Sequence, residues 1–114
     1  MKRGEIYFAN LSPGVGSEMD KRRPVLIISN DANNNASTTV TILPITSNMS
    51  RVYPFEVLLN PEDSGLSKTS KVQAQQIRTI SKQRILGDVV GCLSQELIDL
   101  VNDAIRVNGN VAYT

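Results

Sequence analysis

A mainly β fold with helices, of the α+β class, is what this sequence predicts: a small barrel or sandwich followed by one C-terminal helix. About six short runs of β-branched and apolar residues alternate with Gly, Pro, Asn and Ser clusters, at the spacing of consecutive strands. From Ser94 onward the period changes to apolar residues three and four apart. At 114 residues the chain reads as one domain, 1–114. That is near the size at which only about 65% of the unfolded surface is buried, so dimerisation would help it.

The first strand runs from Glu5 to Leu11 and stops at Ser12-Pro-Gly-Val-Gly16, where proline and glycines break pairing. Ser17 to Arg22 is polar and reads as a hairpin loop. Pro24 to Ser29 contains Val25-Leu-Ile-Ile28, continuous rather than alternating, which predicts a strand buried on both faces. Asn30 to Asn35 ends it, because short amide side chains compete with the ladder. Thr38 to Ile45 is a third strand and Tyr53 to Leu59 a fourth, with Phe55, Val57 and Leu59 facing opposite to Glu56 and Leu58. Asn60 to Gly65 is a turn or one short helical turn. Lys71 to Ile80 and Val89 to Leu93 complete the strands. In the helix, Ser94 is the N-cap and Glu96 lies in the first turn. Leu97, Ile98, Val101, Ala104 and Ile105 form one stripe, and Asn108-Gly109 is the stop signal.

Composition removes several chemistries. The chain has no histidine, which excludes imidazole metal sites, Ser-His and Cys-His nucleophiles, and the paired imidazoles of many ribonucleases. Its one cysteine, Cys92, cannot form an internal disulfide and reads as a small apolar strand position; such thiol usage fits a reducing cytoplasm. Twelve Lys and Arg against 11 Asp and Glu give a net charge of +1, so a polyanion would have to be held by a local groove. No apolar run approaches the ~20 residues of a membrane span, and Met1-Lys-Arg-Gly is not followed by a signal-peptide core. The expectation is a soluble, cytoplasmic protein with no cofactor and no metal.

Gln73 to Ile80 is the most informative stretch. A strand there sends Gln76 and Arg78 to one face, a poor composition for a core strand and a good one for holding a ligand. With Arg23 at the entry to the buried strand, and Thr46 and Ser47 at the end of another, a guanidinium, hydroxyls and a carboxamide gather at strand ends. That set suits a phosphodiester better than a metal. Cutting RNA without a metal requires placing the strand, stabilising charge on phosphoryl oxygens, and assisting two proton transfers. Arg23 suits the charge, since its fork pairs two phosphate oxygens; equally it is a strand-entry arginine paired with Glu18 or Asp20. Its pKa above ~12 makes it a poor general base.

The ordered combination Lys2-Arg-Gly-Glu-Ile-Tyr-Phe-Ala9, Leu11-Ser-Pro13, Gly16-Ser-Glu18, Arg23-Pro-Val-Leu-Ile27, Ser29-Asn-Asp31, Ile45-Thr-Ser47, Gly65-Leu66 and Gln76-Ile-Arg-Thr-Ile80 resembles the MazF/PemK/Kid family of bacterial toxins. The resemblance runs from residue 2 through Arg84 and loosely through the helix. It implies an SH3-like barrel of the CcdB/PemK type with added helices, acting as a homodimer. It also implies a sequence-specific, metal-independent endoribonuclease of a type II toxin-antitoxin system. Family members cut single-stranded RNA, often messenger RNA, leaving a 2′,3′-cyclic phosphate and a 5′-hydroxyl. Position by position, the resemblance places the family's arginine at Arg23, its threonine at Thr46 and its glutamine at Gln76, with Ser17 and Glu18 in the loop flanking the cleavage site. The family's antitoxin typically lays an acidic tail across the RNA groove.

In one respect the chain departs from its relatives, which commonly carry an acidic residue where Gln75 stands. Proton transfer then falls to Glu18, or to water held by Thr46. Loops 12–22 and 47–53 are expected to line the groove, with Lys21 and Arg51 on phosphates, Met19 or Tyr53 available to stack on bases, and Ser47, Asn48 and Arg78 beside them; Tyr53, followed by Pro54, is equally hydrophobic cover for the barrel. Two rivals keep the fold: a CcdB-like gyrase poison acting through its C-terminal helix, and a noncatalytic RNA-binding barrel. Asn108 to Thr114 lacks an aromatic hook, and two Phe, three Tyr and no Trp make a poor stacking platform.

Overall fold

The β-branched and apolar runs assemble, in a computed structural model that describes residues 1–11 and 22–110, into an antiparallel sheet with one long helix. Strands β1 (Glu5–Asn10) and β2 (Arg22–Ile27) lead to helix α1 (Asp31–Ala36), then to β3 (Thr39–Thr46) and β4 (Glu56–Leu59). Helix α2 (Pro61–Ser64), β5 (Ser70–Gln73), β6 (Arg78–Ser81), β7 (Ile85–Cys92) and helix α3 (Gln95–Asn110) follow, with 3-10 turns at Ala74–Gln76 and Lys82–Arg84. The sheet order is β4-β5-β3-β2-β1-β7, with β6 added on β3, and it does not close into a continuous cylinder. A curled, barrel-like fold ending in a helix is therefore what the sequence predicts and what forms.

Two apolar clusters fill opposite faces, as residues alternate along each strand. Ile6, Leu26, Leu43, Ile45, Val57, Leu59 and Val72 pack with Val101 and Ala104 of α3. Ala9, Leu11, Val25, Ile27, Val40, Ile42 and Ile80 form the second cluster on the other face. Val25, Leu26 and Ile27 are thus buried on both faces, as their unbroken apolar run predicts. Ser94 caps α3 through its hydroxyl, which accepts the Leu97 N–H at 3.3 Å. No helix of the described residues is long and apolar enough to cross a membrane.

Four local expectations are corrected. Asn30–Asn35 is not an irregular loop: the Asn30 carboxamide accepts the Asn33 N–H at 2.8 Å and so nucleates α1. Lys71–Ile80 is not one strand. Between the Ile45↔Val72 and Ile42↔Arg78 pairings, two residues of β3 face five of the opposing chain, and the surplus coils into the 3-10 turn. Glu56 faces opposite to Val57 and Leu59 as expected, and is buried there beside Lys71, which neutralises it. Cys92 is exposed on the β7 edge rather than packed. Asn108-Gly109 does not stop α3, which continues to Asn110; a glycine near a helix end costs only about 1 kcal/mol.

Candidate active site

Arg23 and Thr46 meet because of strand register. Val25 pairs with Pro44 across β2 and β3, and extending that ladder by two residues sets Arg23 beside Thr46 on the face of the second cluster. There the apolar interior gives way to polar side chains. Thr46 is half-buried, and its hydroxyl accepts the Asn48 N–H at 3.1 Å, which turns the chain out of β3. Arg78 opens β6 opposite Ile42, on that same face.

A cavity of about 330 Å³ results, lined by Leu11, Arg23, Pro44, Thr46, Asn48, Lys71, Gln73, Gln76 and Arg78. Gln76 reaches it from the last residue of the 3-10 turn, not from a strand. The expected convergence of Gln76 and Arg78 is therefore present although the alternation that suggests it is not. A second cavity of about 560 Å³ lies alongside and shares Arg23 and Thr46; Ser47 lines it, with Lys68, Ser67 and Ser70 and an apolar floor of Phe8, Leu66 and Val90. Arg22, on the opposite face from Arg23, stacks its guanidinium 3.9 Å from the centre of the Phe8 ring. Strand alternation thus leaves Arg22 in the larger cavity alone, while Arg23 lines both.

Neither cavity is lined by a carboxylate, and no group of three or more Cys, Asp or Glu side chains is placed to hold a metal among the described residues. Cations, amides and hydroxyls remain, a set that binds oxyanions. Among the described residues no acidic side chain forms an ion pair with Arg23 or Arg78.

Arg51 stands elsewhere. Its guanidinium lies 5.1 Å from the centre of the Tyr53 ring and donates to the Tyr53 hydroxyl at 3.2 Å, while Tyr53 stacks on Phe55 with ring centres 5.0 Å apart. Tyr53 is therefore already stacked from one side by its own chain. Ser17, Glu18, Met19, Asp20 and Lys21 lie outside the described residues.

Lys71 and Gln73 are cavity residues that the sequence reading missed. Their signal is the polar alternation around Val72, which faces the core beneath α3. Gln75 donates its amide to Glu56 Oε2 at 3.0 Å. Burial raises the Glu56 carboxyl, but the Tyr53 N–H, the Gln75 amide and Lys71 together outweigh it and hold it below the usual carboxylate range. A carboxylate so engaged is a weak base.

A family profile described as the PemK-like, MazF-like toxin of type II toxin-antitoxin systems matches residues 2–108. The chain belongs to this toxin family. Endoribonuclease MazF9 of Mycobacterium tuberculosis is 39% identical to the toxin over 113 residues, spanning 95% of each protein. Endoribonuclease EndoA of Bacillus subtilis is 40% identical over 109 residues, 95% of the toxin and 93% of the relative. A mycobacterial endoribonuclease solved in complex with its cognate antitoxin superposes with a TM-score of 0.80 at 28% identity, covering 97% of the toxin and 96% of that chain.

Proposed function

We propose that this toxin is a sequence-specific endoribonuclease that cuts single-stranded RNA without a metal and is inhibited by a cognate antitoxin. The observation that carries the reading is the meeting of Arg23, Thr46, Gln76 and Arg78 at one cavity in a member of a family whose relatives are endoribonucleases. In the reaction the 2′-oxygen attacks the adjoining phosphorus and the P–O5′ bond breaks. The 2′-hydroxyl proton passes to a base, and the leaving 5′-oxygen takes a proton. The products are a 2′,3′-cyclic phosphate and a 5′-hydroxyl. Arg23 stabilises charge on the nonbridging oxygens, and secondarily protonates the leaving oxygen. Thr46 donates its hydroxyl to the phosphate or holds a water, and Gln76, Arg78, Ser47 and Asn48 orient the strand. Glu18 is assigned as base, since no carboxylate among the described residues lines the site; Ser17, Met19, Lys21 and Arg51 belong to the RNA surface.

The cationic character of the site also suits the acidic segment of an antitoxin, as the antitoxin complex of the mycobacterial relative suggests. The working form is a cytoplasmic homodimer. The test is incubation of purified toxin with single-stranded RNA in EDTA. Cleavage is expected, with 5′ ends that a polynucleotide kinase labels directly and 3′ ends that resist phosphatase. Dependence on added divalent metal, or 5′-phosphate ends, overturns the chemistry. Inhibition of gyrase supercoiling without RNA cleavage would put the gyrase-poison reading first.

A further inference from the structure

Lys71 faces Thr46 across β3 and β5, and Glu56 faces Gln73 across β4 and β5, so all four side chains share the sheet face that carries the candidate site. A lysine and a glutamate on such a face ordinarily reach into water. Here their side chains keep only 8% and 1% exposure, with Lys71 Nζ 3.1 Å from Glu56 Oε1. The segment between β3 and β4 is fastened to them. Lys71 Nζ donates to the Arg51 carbonyl, and the Tyr53 N–H donates to Glu56 Oε1 at 3.0 Å. The other carboxylate oxygen accepts the Gln75 amide at 3.0 Å, inside the turn that presents Gln76. One buried pair thereby ties the loop carrying Asn48 to the turn carrying Gln76, and both of those residues line the cavity with Arg23 and Thr46.

The charge of Lys71 is compensated at contact distance, so the pair adds little net field to the groove, and field is what RNA phosphates respond to. Carboxamides such as those of Asn48 and Gln76 are groups that read base edges. We propose, resting on the endoribonuclease reading, that Lys71 and Glu56 are positioning residues that hold Asn48 and Gln76 in register, and so set which RNA sequence is cut rather than how strongly the backbone is gripped.

The test uses the full chain with the double variant Glu56→Met/Lys71→Met, which strands no buried charge, and with Lys71→Arg, which keeps a donor. A near-ultraviolet circular dichroism spectrum confirms folding. Three readouts are taken: 5′ ends mapped on a long transcript, kcat/KM on the preferred oligonucleotide against single-base variants, and RNA binding across salt. The double variant is expected to lose about ten-fold in base discrimination, the scale of one base-edge contact, with the slope of log K against log salt unchanged. Lys71→Arg retains the parental pattern. An unchanged cleavage pattern in the folded double variant reduces the pair to packing and overturns the proposal. A salt slope shallower by about 0.7, the value for one lost phosphate contact on a single strand, makes Lys71 a phosphate ligand and also overturns it. If the parent itself does not cut RNA, the endoribonuclease reading falls first, and the inference with it.

Discussion

Replacing Lys71 alone by Met isolates what a buried carboxylate requires. The two side chains are 8% and 1% exposed, and Met keeps the apolar stem of the lysine, so little volume is lost. Glu56 retains the Tyr53 N–H and the Gln75 amide, each at 3.0 Å, but loses the one cation paired with it among the described residues. Stranding a buried charge in this way costs about 3–5 kcal/mol, a large share of the ~5–15 kcal/mol that holds a domain folded. At roughly 4 °C per kcal/mol for a chain of this length, Tm should fall by about 12–20 °C at neutral pH. The pH dependence fixes the cause. In the parent the Glu56 carboxyl lies below its ordinary value despite burial, so its stabilisation is present above the unfolded carboxyl pKa and is lost as pH falls through the folded one. Without Lys71, only the Tyr53 N–H and the Gln75 amide oppose burial, and the folded pKa rises from its value in the parent. Relative to the parent, the variant is therefore penalised most at high pH, where the carboxyl is ionised, and the difference shrinks on acidification. Urea denaturation at pH 7.5 and pH 5 reads both effects. A variant within about 1 kcal/mol of the parent at both pH values, the range of an exposed pair, refutes the assignment of Glu56 as a buried, Lys71-dependent charge.

Arg23→Ala removes the cation shared by the two cavities and is expected to lower kcat/KM by about 10²–10³-fold, or roughly 3–4 kcal/mol of transition-state stabilisation, with the fold intact; unchanged turnover removes Arg23 from the mechanism. Thr46→Ala should lower kcat more than RNA affinity, measured by single-turnover cleavage beside direct binding, and equal losses would make Thr46 a binding residue. A Cβ at Gly91 would collide with the Ser64 carbonyl of α2. Gly91→Ala should therefore destabilise by about 1–3 kcal/mol, and an unchanged melting curve would show that α2 is free to move off β7.

The strands that bury both faces were legible because a run such as Val25-Leu-Ile-Ile28 has no other economical use. The helix α3 was legible from its stripe and its serine cap. Gln76 and Arg78 drew notice as polar residues where core is expected, which is a reliable sign even though the geometry inferred from it was not. What escaped was long-range. The break between β5 and β6 depends on β3 pairing with both along one edge, and nothing within residues 71–80 encodes that. Nothing in the sequence around Lys71 marks it as buried, because its partner is 15 residues away, on a strand whose alternation gives no hint that Glu56 is covered. Asn30–Asn35 shows the reverse limit: the same amides that end a strand also start a helix, and only the packing around them decides.

Arg23 and Thr46 form the wall between two adjoining cavities, and this joint ownership restricts how the protein can change over generations. On the proposed mechanism, a substitution of this wall that freed either compartment from a blocking ligand would also remove a group assigned to turnover. An inhibitor anchored on that wall consequently meets a target with no inexpensive escape, whichever compartment it fills.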